Sequence, residues 1–283
     1  MSAFYQQSPG PKWRARSPGN VADEVQLLVT RFGVQHLNFV DDNFIGPGRK
    51  GQERAAGVAE EIIRRRLPVT FRIDCRADDV DYGLFALLKR AGMSEVFIGF
   101  EAGMQRLLNT FGKGLTVQDN CRALAIIRLL GIKFTMGWIA NDPYITLEEA
   151  KENYLSFRSL FGEPVELWPI MNKLGVFAGT EIEAQLRRES NLFERGPYVL
   201  DYEFRDSRIS RLYSYLDMAL SLGVNDLHRE VREIGPRRSA LADLVDWVIM
   251  RGLQFAAEPA SPAQDRAVVN ELQERYRDFV RCI

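Results

Sequence analysis

A chain of 283 residues that is 46% hydrophobic and 27% charged can bury a full-size globular core. Its net charge of −1 leaves no global field to draw it to nucleic acid or an anionic membrane, and its most apolar stretches are broken by charge well short of a membrane span. Met1 to Gly10 lacks the apolar core of a secretory leader, so the expected location is the cytoplasm.

The first 17 residues, with Pro9, Gly10, Pro11 and the basic-aromatic run KWRAR, read as a loop. Pro18 to Phe32 reads as a helix: Val21, Val25, Leu28, Val29 and Phe32 fall on one face, Ser17 suits the N-cap and Pro18 the first turn. Gly33 ends it, and a strand runs from His36 to Val40. The unit then recurs. Helices are expected over Gln52–Arg66, Asp81–Ala91, from Thr116 to Gly131 and from Thr146 to Gly162. The strands that follow them are Val69–Ile73, Glu95–Phe100, Lys133–Ile139 and Val165–Ile170. Glycine closes most of these helices, as suits a sharp stop before a strand. Helix–strand units recurring every roughly 30 residues imply parallel strands joined by crossovers, and strands rich in Val, Ile and Phe imply burial on both faces. An α/β barrel or part of one is the natural closure. From residue 175 onward, Thr180–Glu189, Ser207–Leu222, Ser239–Phe255 and Ala263–Val280 read as helices. The expected organisation is a loop (1–17), a partial β/α barrel (18–174) and a helical C-terminal region (175–283).

Polar residues cluster where these strands end: Asp41, Asp42 and Asn43; Asp74 and Arg76; Glu101; Asn141 and Asp142; Asn172 and Lys173. In barrel folds such strand ends converge on the face where chemistry happens. Cys75, Cys121 and Cys282 lie far apart with no CxxC spacing, which excludes a sequence-local metal knuckle, so no metal ligand is assigned. The only histidines are His36, at the opposite end of its strand, and His228; neither a two-histidine metal site nor a Ser-His-Asp triad is expected.

Several phrases resemble the radical S-adenosylmethionine superfamily, in particular members that carry a cobalamin-binding domain. They are RARSPGNVADEVQLLVTRFGVQHLNFVDDNF, FRIDCRADDVD, EVFIGFEAG with NTFGKGLT, and MGWIANDPYITLEE, together covering about residues 3 to 170. The resemblance implies a partial (β/α)6 barrel whose first strand is missing, followed by the helical region. It implies S-adenosylmethionine as cofactor, a 4Fe–4S cluster, and cobalamin in some relatives. By position, Asp41, Asp42 and Asn43 correspond to the contact with the methionine amino group. Asp74 and Arg76 lie near its carboxylate, Glu101 near the ribose, and Trp138 and Asn141 on the strand flanking adenine. Each position has a plainer reading as well. Asp41–Asn43 suit an Asx turn, Asp74 and Arg76 a rim ion pair, Glu101 a helix N-terminus, Trp138 the core and Asn141 a turn before Pro143. The family's CxxxCxxC loop does not occur in the sequence, and the three cysteines do not match it. Ser2–Tyr5 resembles the segment that follows the loop, so an upstream segment lost by truncation, or a partner chain, is expected to supply it. No catalytic residue is assigned.

Three functions stand on these residues. One is a radical S-adenosylmethionine enzyme core, inactive alone, acting by reductive cleavage to a 5′-deoxyadenosyl radical or by cobalamin-dependent methyl transfer, on a small-molecule or peptide substrate. The second is a degenerate, non-catalytic barrel that binds S-adenosylmethionine or a partner. The third is a Mg²⁺-dependent lyase or aldolase using the strand-end acids.

Overall fold

The computed structural model describes residues 9–11, 13–197, 199–227, 231 and 235–282, the last by its backbone alone. They form two compact units. The first runs to Glu101 and resumes over Gln105–Trp138; the second holds Ala102–Met104 and everything from Ile139.

The first unit alternates α1 (Pro18–Phe32), β1 (His36–Asn38), α2 (Gly48–Arg64), β2 (Thr70–Arg76), α3 (Tyr82–Arg90), β3 (Met93–Glu101), α4 (Gln105–Thr110), α5 (Val117–Leu130) and β4 (Lys133–Trp138). The strands pair in parallel in the order β1-β2-β3-β4, an α/β sheet as expected. The helix boundaries follow from their caps. The Ser17 side chain accepts from Asn20 N–H and Gly33 closes α1 in the left-handed region (φ 67°). Asp81 caps α3, and Thr116 with Asp119 forms a reciprocal capping box on α5. Helix α2 starts at Gly48, ahead of the expected Gln52. Its arginine-rich end is structural: Arg64 pairs with Glu61, and Arg65 with Glu61 and with Asp23 of α1.

The core of this unit lies between the sheet and its helices. Phe71, Ile73 and Cys75 of β2 and Val96 and Ile98 of β3 are buried, as are Ala55, Val58, Ala59 and Ile62 of α2, Phe85 and Leu88 of α3, and Ala123 and Ile127 of α5. Each large aliphatic or aromatic side chain so buried contributes about 1.5–3 kcal/mol of transfer free energy.

Three expectations need correction. The strands are not apolar on both faces: β2 alternates, and opposite its buried residues stand Arg72, Asp74 and Arg76, half-buried. The burial of α1 stops short of its last turn, where Phe32 is 64% exposed. Finally, Val165–Ile170 is not a strand. Pro169 sits in the first turn of a short helix, α7 (Trp168–Met171), where a missing N–H costs nothing. The parallel contact occurs just beyond it, as an isolated bridge between Asn141 and Lys173.

The second unit continues with α6 (Leu147–Phe161), α7, α8 (Glu181–Arg188), a hairpin of β5 (Phe193–Gly196) and β6 (Val199–Asp201), α9 (Ser207–Ser221), α10 (Pro236–Ala257) and α11 (Pro262–Cys282). It is largely helical as expected, with the hairpin added. Thr146 and Glu149 cap α6 reciprocally. The long pair α9–α10 buries Ile209, Leu212, Tyr215 and Leu216 against Leu241, Val245, Val248 and Ile249. Among the described residues no helix is long and apolar enough to cross a membrane.

Two glycines test the helix-to-strand joints. A Cβ on Gly92 (φ 112°) would lie 2.2 Å from the Val69 carbonyl oxygen, whereas one on Gly33 (φ 67°) would meet nothing within 4 Å. Gly33→Ala should therefore cost only the conformational penalty of about 1–2 kcal/mol. Gly92→Ala must also push α3 away from β2 and should cost at least about 3 kcal/mol. Urea unfolding of both variants checks the difference.

Candidate functional site

The parallel register sorts the polar face of the sheet into rows. Asn38, Arg72, Glu95 and Lys133 stand in one row, Asp74, Phe97 and Thr135 in the next, and Arg76, Gly99 and Gly137 in the row nearest the C-terminal ends. Arg72 lies 3.4 Å from Asp74, 3.7 Å from Glu95 and over the Phe97 ring. The last row differs: two neighbouring strands carry glycine beside Arg76, a floor with no side chains of its own, and the Phe97 ring of the row before reaches over Gly137.

Glu101 turns onto that floor. The β3–β4 register slips between Gly99 and Glu101, and Glu101 adopts a left-handed backbone (φ 67°). Its carboxylate folds back so far that a Cβ on Gly99 would lie 2.5 Å from Oε1. A left-handed conformation in a residue other than Gly or Asn costs about 1–2 kcal/mol, so surrounding contacts must hold it. Lys113 pairs with the carboxylate, and the Asn120 side chain donates to Phe100 O at 2.8 Å, fixing the strand just before the turn. Arg76 lies close enough to feel Glu101. Its guanidinium is bound bidentately by Asp78 at 2.8 Å, which raises its pKa further, with smaller contributions from Asp79 and Glu101. It also donates to Lys113 O at 2.6 Å.

The other residues singled out from the sequence are dispersed. Asp41 and Asp42 lie exposed beyond β1. Asn43 has the turn role: its Oδ1 accepts from Ile45 N–H at 3.2 Å and its Nδ2 donates to Asp79 at 2.7 Å. Trp138 ends β4 and is buried at 1% exposure. Asn141 belongs to the second unit, where its fully buried amide donates to Ile170 O (2.6 Å) and Tyr213 Oη (3.0 Å). Arg76 and Glu101 are thus brought together, Asp74 stands one row away, Trp138 is the register partner of Glu101, and Asn43 reaches the Ala77–Asp79 turn that follows Arg76. Sequence reasoning missed Lys113 and Asp78. The local signal for Lys113 was its place between Gly112 and Gly114, the pattern of a loop tip.

The two cysteines with described side chains, Cys75 and Cys121, do not form a cluster site; the Cys282 side chain lies outside the described residues. Cys75 is buried, and its thiol is pushed well up by desolvation and then by Asp79, Asp74 and Asp78, the opposite of what a thiolate ligand needs. Cys121 is exposed on α5. Among the described residues no three His, Cys, Asp or Glu gather as a metal site.

Burial raises the pKa of Asp79 above its ordinary 3.8, opposed by the Asn43 hydrogen bond. A raised carboxylate pKa means that the ionised form, present above the folded value, destabilises the fold; below the unfolded value the group is neutral in both states. Asp79→Asn should therefore raise the melting temperature at pH 7, with the gain shrinking as the pH falls through the raised value toward 3.8. Melting curves of both proteins across that range check the sign.

No family model matches the chain. Over 143 residues it is 32% identical to the anaerobic magnesium-protoporphyrin IX monomethyl ester cyclase of Rubrivivax gelatinosus, covering 48% of this chain and 25% of that protein. Over 163 residues it is 28% identical to the 4'-phospho-dehydrooxetanocin synthase of Priestia megaterium, covering 51% of this chain and 22% of that protein. The chain thus spans about a quarter of the length of these curated relatives. Its fold matches that of the cobalamin-dependent S-adenosylmethionine radical enzyme OxsB with a TM-score of 0.69 at 17% identity, covering 95% of this chain and 50% of that one. The resemblance read from the sequence is met by these relatives and by this fold.

Proposed function

We propose that this chain, a relative of the cobalamin-associated radical S-adenosylmethionine enzymes, is the S-adenosylmethionine-binding core of such an enzyme. The observation that carries this reading is the Glu101 carboxylate turned over the Gly99–Gly137 floor beside Arg76. A buried carboxylate suits the two ribose hydroxyls as donors, and a guanidinium suits the methionine carboxylate. The glycines at 99 and 137 leave the places that the Glu101 carboxylate and the Phe97 ring take up. With a reduced 4Fe–4S cluster, S-adenosylmethionine supplies a 5′-deoxyadenosyl radical, and with cobalamin a route to methyl transfer.

The described cysteines do not fit the cluster. Such clusters are held by thiolates, and Cys75 and Cys121 have the wrong settings. We therefore assign this polypeptide the binding half of the reaction and no redox step. The cluster loop would come from a further segment or a partner chain. The free side of β1, which pairs only with β2 among the described residues and leads to Val40 at 88% exposure, suits an added strand. The substrate, a small molecule or a peptide, would be selected outside the described strand ends. A purely S-adenosylmethionine-binding, non-catalytic role rests on the same carboxylate and the same cysteine settings. The Mg²⁺-dependent lyase reading has no ligand set among the described residues.

Calorimetry tests the binding half. The chain without any cluster should bind S-adenosylmethionine, and Glu101→Gln and Arg76→Met should each weaken binding at least about tenfold, the loss expected for a charge-assisted hydrogen bond. Wild-type affinity in both variants, or no binding at millimolar ligand, would sink the reading. Iron and acid-labile sulfide after anaerobic reconstitution test the other half. Content far below one cluster per chain is expected, and a stoichiometric cluster that responds to S-adenosylmethionine would refute the assignment.

A further inference from the structure

The contact that closes over the strand-end site comes from a loop outside the strands. Lys113 stands between Gly112 (φ 62°) and Gly114 (φ 67°), and a Cβ on either glycine would meet nothing within 4 Å. The two glycines therefore bend the loop without packing it. The base of the loop is anchored independently. Phe111 N–H bonds to Leu107 O, Gln105 Nε2 donates to Leu115 O at 3.1 Å, and Leu115 is buried. The tip meets the sheet through Lys113 at two points: its carbonyl accepts from Arg76, and its ammonium pairs with Glu101. The Lys113 side chain stays 36% exposed while that of Glu101 is only 11% exposed. The lysine therefore lies over the carboxylate from the solvent side, on a hinge of two glycines.

We propose that Lys113 is a displaceable latch: its ammonium occupies the Glu101 carboxylate in the free protein, and the hydroxyl donors of a bound nucleoside expel it. The inference rests on the reading of Glu101 as the ligand's acceptor. Ligand and lysine compete for the same two oxygens, and the glycine hinges let the ammonium leave while Arg76 keeps the Lys113 carbonyl in place. The latch also keeps a poorly solvated carboxylate paired until the ligand arrives.

Reductive methylation followed by peptide mass spectrometry reads the state of Lys113 directly, with exposed Lys50 as the internal standard. Lys113 should react several-fold more slowly than Lys50 in the free wild type. It should approach the Lys50 rate in Glu101→Gln, and also in the wild type saturated with S-adenosylmethionine. Binding itself is established separately by calorimetry. Lys113→Met, which removes the competitor, should bind about fivefold more tightly, the equivalent of ~1 kcal/mol for a pair exposed on its lysine side. If ligand binds but the reactivity of Lys113 does not rise, or if Lys113→Met binds more weakly, the latch is wrong and the reading of Glu101 stands. If the wild type binds no ligand, both fall. If Lys113 already reacts like Lys50 in the free protein, the latch falls whatever the calorimetry gives.

Discussion

The strand-end site depends on two missing side chains. Gly99 and Gly137 are register partners on adjacent parallel strands, so their vacancies adjoin. The glycine at 99 leaves the place that the folded-back Glu101 carboxylate takes, and the one at 137 leaves room for the Phe97 ring. The left-handed backbone at Glu101 and the register slip before it are the local cost, and they are offset by contacts that this chain supplies itself: the Lys113 ion pair and the Asn120 bond to the preceding carbonyl. A side chain at Gly99 would not merely crowd the carboxylate. It would occupy the place where the carboxylate is, and the site would lose its acceptor and its floor together.

The alternation of β2 divides sealed apolar residues from half-buried charged ones on a single strand. Phe71, Ile73 and Cys75 face the helices and are sealed there; Arg72, Asp74 and Arg76 face the other way and stay half-buried. Charges in that position are tolerable only with partners, and each has one on the same face. Arg72 has Asp74 and Glu95, and Arg76 has Asp78. Arg76 is the more useful of the two arginines because its partner follows it in the chain. Asp78 lies in the short 3₁₀ turn Ala77–Asp79, so the turn that ends the strand also aims the guanidinium.

The helices and their ends were legible because their signals are local. Ser17 caps α1 as expected, the helices expected from Asp81, Thr116 and Thr146 begin with those residues as caps, and the strand ends carry the polar residues singled out from the sequence. What failed was non-local. An apolar run such as Val165–Ile170 suits a buried strand or a buried helical turn equally well, and Pro169 decided for the turn. The hairpin at 193–201 is short, polar and interrupted by Gly196, so it left no alternation to read. The inward charges of β2 were visible as residues, but burial on both faces was inferred from the parallel fold rather than from the Arg-Ile-Asp-Cys-Arg alternation itself. Asn43 shows the limit from another side. Its sequence neighbours Asp41 and Asp42 suggest a ligand site and an Asx turn alike, and the bond to Asp79, far along the chain, could not be read from either.

The groups that suit a nucleoside and those that would hold a cluster are physically separable here. Arg76, Gly99, Glu101, Lys113 and Gly137 all come from β2, β3, β4 and one loop; none comes from β1. The edge strand contributes only three paired residues and the exposed acids beyond them, so the carboxylate, the guanidinium and the glycine floor are complete without anything added to that edge. On the proposed reading this order matters. Without iron to chelate the amino and carboxylate groups, S-adenosylmethionine would be held through the ribose, once Lys113 leaves Glu101, and through Arg76 alone. Binding by this chain should then be weaker than in the complete assembly while keeping the same dependence on Glu101. That dependence separates a true nucleoside cradle from a rim ion pair that merely closes the end of a strand.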